Sequence, residues 1–300
     1  MDVLFISEVS SNHNRDLDRC FQFIDQSSRI GCYAIKFQLF RINELFSPQI
    51  LNKSKKHRER EKWELPLEFL PRLAERCKEK NIKFACTPFY LKAVEQLYPY
   101  IDFYKISSYE LLWDDLLRKC AETDKPIILS TGMANLDEIN HAINVIIKTN
   151  SNYALNNALT EKRNKIQFPL SILHCISKYP ALPEECNLAA IETIYKEFGY
   201  PVGWSDHSVD SGVIYRVVHR WKAKIIEFHL DLDEKGYEFN LGHCWNPGTM
   251  ETIIKNVNNG IKADGENFKE PHECELEERN WRADPSDGLR PLKGLRTNYT

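Results

Sequence analysis

Pro126-Ile-Ile-Leu-Ser130-Thr-Gly132-Met-Ala-Asn135-Leu-Asp-Glu138-Ile139-Asn-His-Ala-Ile143-Asn-Val-Ile146-Ile147 contains one complete fold unit. Its first four residues are a short apolar run rich in Ile, which reads as a buried strand. Ser130-Thr131-Gly132 breaks the run with a turn signal. Asn135 then stands three residues before Glu138, the spacing of a capping box, in which each side chain takes the other's free backbone N–H. Ile139, Ile143, Ile146 and Ile147 follow at helical spacing and line one face. A strand that passes through a polar turn into an amphipathic helix is a β/α unit.

The same grammar recurs along the chain. Strands are expected at Val3–Val9, Tyr33–Gln38, Lys83–Thr87, Phe103–Ser107, Pro126–Ser130, Ser171–Ile176, Val202–Ser205 and Ile225–His229. Asp16 opens a helix whose Leu17, Cys20, Phe21 and Ile24 share a face and which Gly31 closes. Leu67, Leu70, Leu73, Ala74 and Cys77 mark a second helix, and Leu188, Ile191, Ile194 and Tyr195 a third that stops at Gly199. Asn246-Pro247 starts the last helix, with Met250, Ile253, Ile254, Val257 and Ile261 on its apolar side. Strict alternation implies parallel strands joined by right-handed crossovers. A closed (β/α)8 TIM barrel leaves no sheet edge, whereas a doubly wound open sheet leaves two. The expected fold class is therefore α/β, a (β/α)8 barrel over residues 1–263 followed by a short polar C-terminal tail, 264–300. Two insertions interrupt the rhythm: Arg41–Leu65, whose charge run Lys53–Lys62 reads as a solvated flexible loop or, less simply, a lid, and Thr149–Phe168.

Composition removes several classes of function. The 300 residues carry 40 Lys+Arg against 43 Asp+Glu, which lacks the one-sided basic excess of a nucleic-acid binder. No apolar run approaches the roughly 18 residues of a membrane span, and Met1-Asp-Val-Leu-Phe-Ile reads as a first strand and not as a signal peptide. Nine scattered cysteines without a Cys-x-x-Cys pair suit a reduced, cytoplasmic core.

Barrel chemistry collects where strands end and the following loops begin, and every expected strand end carries a polar group. Lys36, Lys105, Thr87, Ser108, Ser130, Ser177 and Ser205 supply two ammonium groups and five hydroxyls, a set suited to a phosphate. Taken singly, the hydroxyl residues are equally good helix caps. His207 and His229 leave adjacent strands roughly 4.8 Å apart, so two imidazoles can share a divalent ion and leave positions open for water and substrate. From spacing alone, hydrogen-bonded core histidines remain the alternative. Glu8, Gln38, Glu110 and Tyr179 complete the polar rim.

Those residues lie in strings that resemble the sialic acid synthase (N-acetylneuraminate synthase, NeuB-like) family. They are Glu8-Val-Ser-Ser-Asn12-His13, Lys36-Phe-Gln38, Thr87-Pro-Phe, Lys105-Ile-Ser-Ser108-Tyr-Glu110, Leu129-Ser-Thr-Gly-Met133, Leu173-His-Cys-Ile-Ser-Lys-Tyr179-Pro, Gly203-Trp-Ser-Asp-His207 and Glu227-Phe-His229. The resemblance implies a metal-dependent condensation of phosphoenolpyruvate with an N-acylated mannosamine-type hexosamine, releasing phosphate. It places Lys36, Thr87, Lys105, Ser108, Ser130, Ser177 and Ser205 on phosphoenolpyruvate. His207 and His229 would hold Mn2+, with Mg2+ or Co2+ as alternatives. Glu8, Lys36, Lys105 and Glu110 would be the catalytic groups, and Gln38, Glu110 and Tyr179 would face the sugar. A homodimer is the expected assembly.

Three departures from the family pattern stand out. Ser10 and Arg15 occupy positions where glycines are usual, so the first loop is expected to run differently. After His229 the usual Gly-Pro-Asp sugar contact is replaced by Glu238-Phe-Asn240-Leu-Gly-His243-Cys-Trp245, which nominates Asn240 as the substitute for the acid. The family's C-terminal antifreeze-like domain, which supplies an arginine, is expected to have no counterpart here, and Arg282 or Arg290 of the tail is expected to replace that arginine, in cis or from a neighbouring subunit. Two other readings compete: a Schiff-base aldolase using Lys105 or Lys36, and a non-catalytic barrel that binds a phosphorylated ligand.

Overall fold

The computed structural model describes residues 3–150 and 170–299. Residues 151–169, which hold nearly all of the expected second insertion, lie outside the described residues. Strands β1 (Leu4–Glu8), β2 (Ala34–Leu39), β3 (Lys83–Pro88), β4 (Phe103–Ile106), β5 (Ile127–Ser130), β6 (Leu170–Cys175), β7 (Val202–Asp206) and β8 (Ile225–Leu230) pair in parallel and in sequence order. The pairing of β1 with β8, Leu4 opposite Ile225 through Glu8 opposite His229, closes the barrel. All eight strand positions agree with the periodicity to within a residue or two.

Alternation along each strand divides the core into two layers. Ile6, Ala34, Ala85, Phe103, Ile128, Leu173 and Ile225 form one cluster that fills the barrel interior. A larger cluster joins the outward strand residues, such as Phe5, Ile35, Phe37, Phe84 and Trp204, to the inner faces of the helices. Two residues further along each strand, the same inward direction delivers Glu8, Lys36, Thr87, Lys105, Ser130, Cys175, Ser205 and Glu227, all buried. Apolar packing below therefore fixes where the polar groups above it point.

Local signals behave as read. Asp16 caps the helix Leu17–Arg29 by accepting from Asp18 N and Arg19 N. Asn135 and Glu138 form both halves of a capping box on Leu136–Thr149. Gly199 ends Ala190–Phe198 in the left-handed conformation.

Three features differ from expectation. The charge run is not a loop: it folds as helices Pro48–Lys53 and Lys55–Arg58 and a 3-10 turn, Glu59–Trp63. That turn rests over the loops that follow β1 and β8, with Arg15 Nη1 donating to Glu61 O at 3.2 Å and the Trp63 and Tyr237 rings 6.2 Å apart. A ninth strand, β9 (Cys244–Trp245), pairs with β8. Finally, Cys274 is exposed, while the other eight cysteines are buried and unpaired.

The chain divides into two compact units, residues 1–261 and 262–300. The second is not a frayed end. Its short turns are tied by Arg296, whose Nη2 reaches Asp287 Oδ1 at 2.9 Å, and by Asp284 Oδ2, which accepts from Lys293 N at 2.8 Å. Among the described residues no helix is long and apolar enough to cross a membrane.

Candidate active site

At the C-terminal mouth of the barrel the side chains sort into three adjoining groups. The first is a buried charge relay around Glu227, which is 3% exposed. Lys105 Nζ lies 3.3 Å from Glu227 Oε1, Lys36 Nζ lies 3.8 Å from Oε2, and Ser205 Oγ donates to Oε1 at 2.9 Å. Lys36 also meets Glu8 and lies 3.4 Å from Thr87 Oγ1. Gln38 Nε2 donates to Glu8 Oε1 at 3.2 Å. Burial pushes the Glu227 carboxyl up, but Lys105 and Lys36 outweigh it and hold the group below its ordinary range. Burial dominates at Lys36, whose ammonium falls to about 8.

The second group surrounds Gly132. A Cβ there would lie 2.3 Å from Ser177 Oγ and 2.9 Å from both Ser108 Oγ and Cys175 Sγ. Only glycine lets the loop after β5 approach these groups so closely. Gly132 N donates to Ser108 Oγ at 2.9 Å, whereas Ser177 Oγ and the buried Ser130 Oγ have no hydrogen-bond partner among the described residues. Two buried hydroxyls without partners beside two lysines are what a ligand rich in acceptor oxygens would satisfy. Nearby, Glu110 accepts from Ser107 Oγ, and burial raises its carboxyl to about 7.

The third group is imidazole-rich. His207 and His229 have ring centroids 5.4 Å apart, and Tyr179 stacks at 4.1 Å on His207. His207 Nδ1 is bonded to Ile176 O at 2.6 Å, which leaves Nε2 as the nitrogen available to a ligand. Burial lowers His207 to about 3 and also lowers His229, so both rings are neutral and have lone pairs to give. This donor set fits a divalent ion. His174, by contrast, points outward, 5.3 Å from Trp204, with Nε2 bonded to Cys186 O, and packs with the core.

The segment after β8 differs from the sequence reading. Asn240 is exposed on a 3-10 turn, Phe239–Leu241. The acid beside His229 is Glu238, whose Oε2 lies 3.2 Å from His229 Nδ1. Asn12 sets that direction: its Oδ1 accepts from Glu238 N at 2.8 Å, while its Nδ2 donates to Leu230 O at 3.0 Å. The first loop keeps the backbone that glycine would favour even without it, since Ser10 and Arg15 have φ of 48° and 56°. Ser10 is held there by hydrogen bonds to Glu8 Oε1 and Glu238 Oε1, both at 2.6 Å. Arg282 and Arg290 are exposed residues of the second unit.

Sequence reasoning missed Glu227, Glu238 and His243 as site residues. A signal existed for Glu227, since it precedes His229 by two on one strand and so faces the same way. None existed for the other two, because their placement depends on an irregular loop.

The chain is similar to known proteins. Residues 23–269 match the NeuB family. The chain is 33% identical over 270 residues to the uncharacterized protein MJ1065 of Methanocaldococcus jannaschii, covering 89% of this chain and 68% of that protein. It is 31% identical over 289 residues to the N,N'-diacetyllegionaminic acid synthase of Campylobacter jejuni, covering 93% and 82% of the two chains. The crystal structure of the N-acetylneuraminic acid (sialic acid) synthetase of Leptospira borgpetersenii superposes with a TM-score of 0.77 at 28% identity, covering 93% of this chain and 90% of that one. With its strand-end motifs, its barrel and these relatives in agreement, the chain belongs to the NeuB family.

Proposed function

We propose that the protein is a phosphoenolpyruvate-dependent synthase of a nonulosonic acid, condensing phosphoenolpyruvate with an N-acylated mannosamine-type sugar. The observation that carries this reading is the cationic, hydroxyl-rich mouth. Lys36 and Lys105 share the carboxylate of Glu227, and the partnerless hydroxyls of Ser130 and Ser177 stand with them. The names of the synthase relatives support the product class.

The residues divide the work as follows. Lys36, Lys105 and Thr87, with Ser108, Ser130, Ser177 and Ser205, would bind the phosphate and stabilise its charge as it departs. The enol carbon C3 attacks the sugar aldehyde, water adds at C2, and cleavage of the C–O bond expels inorganic phosphate. Glu110, with its pKa near neutrality, is suited to hold or release a proton beside C2. Glu8, paired with Lys36 and bonded to the Gln38 amide, would orient Gln38 toward the sugar. Tyr179, packed on His207, would form an apolar wall against the sugar ring. A divalent ion held by His207 and His229, Mn2+ in preference to Mg2+ or Co2+, would supply Lewis acidity for the aldehyde oxygen. The deciding experiment incubates the protein with phosphoenolpyruvate, Mn2+ and a panel of N-acyl hexosamines. Sugar-dependent phosphate release with a nonulosonic product supports the reading, and its absence across the panel overturns it.

A Schiff-base aldolase has one observation in its favour, the lowered Lys36 ammonium. Against it, both lysines are engaged by buried carboxylates, Lys36 by Glu8 and Lys105 by Glu227, so neither amine stands free to attack a carbonyl.

A further inference from the structure

Strand β9 is the feature from which the inference starts. The pairing of β7 with β8 ends at Asp206 opposite Phe228, and β9 takes over the same edge one residue later, with His229 opposite Cys244 and Leu230 opposite Trp245. That register brings His243 beside His229, ring centroids 4.6 Å apart. Glu238 enters between them, its Oε2 3.2 Å from His229 Nδ1 and 3.6 Å from His243 Nε2. Donor atoms of His229, Glu238, His243 and Cys244 all lie within 4.8 Å of one another. Two ligands of one ion with bonds of about 2.1 Å lie up to about 4.2 Å apart, so only a small contraction separates this cluster from coordination.

His243 itself calls for a ligand. It is 2% exposed, its Nδ1 has no hydrogen-bond partner among the described residues, and its Nε2 meets Glu238 Oε2 only at 3.6 Å. A buried imidazole nitrogen without a partner is costly to bury, and coordination removes that cost. Cys244 Sγ is engaged by Asn12 Nδ2 at 3.4 Å, which leaves two imidazoles and one carboxylate.

We propose that this chain binds its divalent ion through a two-histidine, one-carboxylate set, His229, Glu238 and His243, beside His207. The inference rests on the proposed function only in assuming that an ion is bound at this mouth at all. Such a set suits Mn2+, Fe2+ or Co2+ and leaves positions open for substrate oxygens. More protein ligands mean tighter binding and fewer bound waters than two histidines alone provide.

The test uses the full chain loaded with Mn2+ alone. Titration should show at least a ten-fold loss of Mn2+ affinity in Glu238→Ala and in His243→Asn. Water-proton relaxation should count one more inner-sphere water in Glu238→Ala, and pulsed electron paramagnetic resonance should count one fewer coupled nitrogen in His243→Asn. Loss of affinity with both counts unchanged would mean that the two residues only orient His229 from outside, and the proposal falls. Unchanged affinity overturns it as well. Glu238→Gln, which keeps the size of the side chain, and thermal unfolding of each metal-free variant separate lost ligation from lost folding. If these results come out as expected while the sugar panel releases no phosphate, the ion site stands and the synthase reading falls. If phosphate release is intact and the metal counts are not, the reverse holds.

Discussion

Lys105 Nζ and Glu227 Oε1 meet 3.3 Å apart across the barrel mouth, with neither residue more than 4% exposed. Lys36 reaches the other oxygen of the same carboxylate. One acid thus holds two ammonium groups at one place, which is what the proposed phosphate site would need when it is empty. Replacing Glu227 by Gln leaves buried cations with one counter-charge fewer, which costs on the order of 3 kcal/mol in comparable pairs. The melting temperature of Glu227→Gln should fall, and millimolar phosphate should recover more of the loss than it adds to the unmodified protein. A variant that melts normally and ignores phosphate would contradict this role.

Lys105→Met tests the other half of the pair. Removing a single preorganised donor to developing charge lowers kcat by about 10²–10³ in comparable sites. Phosphate release from phosphoenolpyruvate should fall by about that factor, with sugar KM little changed if Lys105 faces the phosphate as proposed. Near-normal turnover at saturating substrate would remove Lys105 from the mechanism.

The strands were legible because a period of two needs only a few residues to declare itself, and because the helices between them carry their own caps, as at Asp16 and Asn135. Once alternation set the inward direction, Lys36, Lys105 and Ser205 followed from counting, and Glu227, legible by the same count, was given no role. β9 was not legible, since two residues carry no period. Glu238 and Asn240 lie two apart on irregular backbone, and which of them turns inward is decided by a hydrogen bond from Glu238 N to Asn12, 226 residues earlier. Positive φ at Ser10 and Arg15 was likewise hidden, because side-chain anchors there replace the freedom that glycine would have provided.

Chelation separates the synthase from the aldolase. Dialysis against EDTA should abolish phosphate release, and added Mn2+ should restore it. Borohydride in the presence of phosphoenolpyruvate should leave Lys36 and Lys105 unmodified by mass spectrometry. Covalent trapping with indifference to EDTA would favour the Schiff-base reading.

Glu110 gives a pH dependence of definite sign. Burial raises its folded-state pKa from 4.5 to about 7. Below about pH 4.5 the carboxyl is protonated in both folded and unfolded chains, and it contributes no difference. As pH rises toward 7, the unfolded chain ionises freely while the folded chain resists, so stability drains away through that window and levels off above it. A gap of about 2.5 pH units corresponds to roughly 3 kcal/mol. Glu110→Gln cannot ionise and should escape the loss. Urea unfolding at pH 5 and pH 8 should therefore show the variant gaining up to about 3 kcal/mol on the unmodified protein between the two conditions. The same substitution should remove any limb near pH 7 from the rate profile, if Glu110 manages the proton beside C2. A variant whose stability tracks the unmodified protein at both pH values would show that the carboxyl is solvated in the folded chain, and its place as a buried proton carrier would be lost.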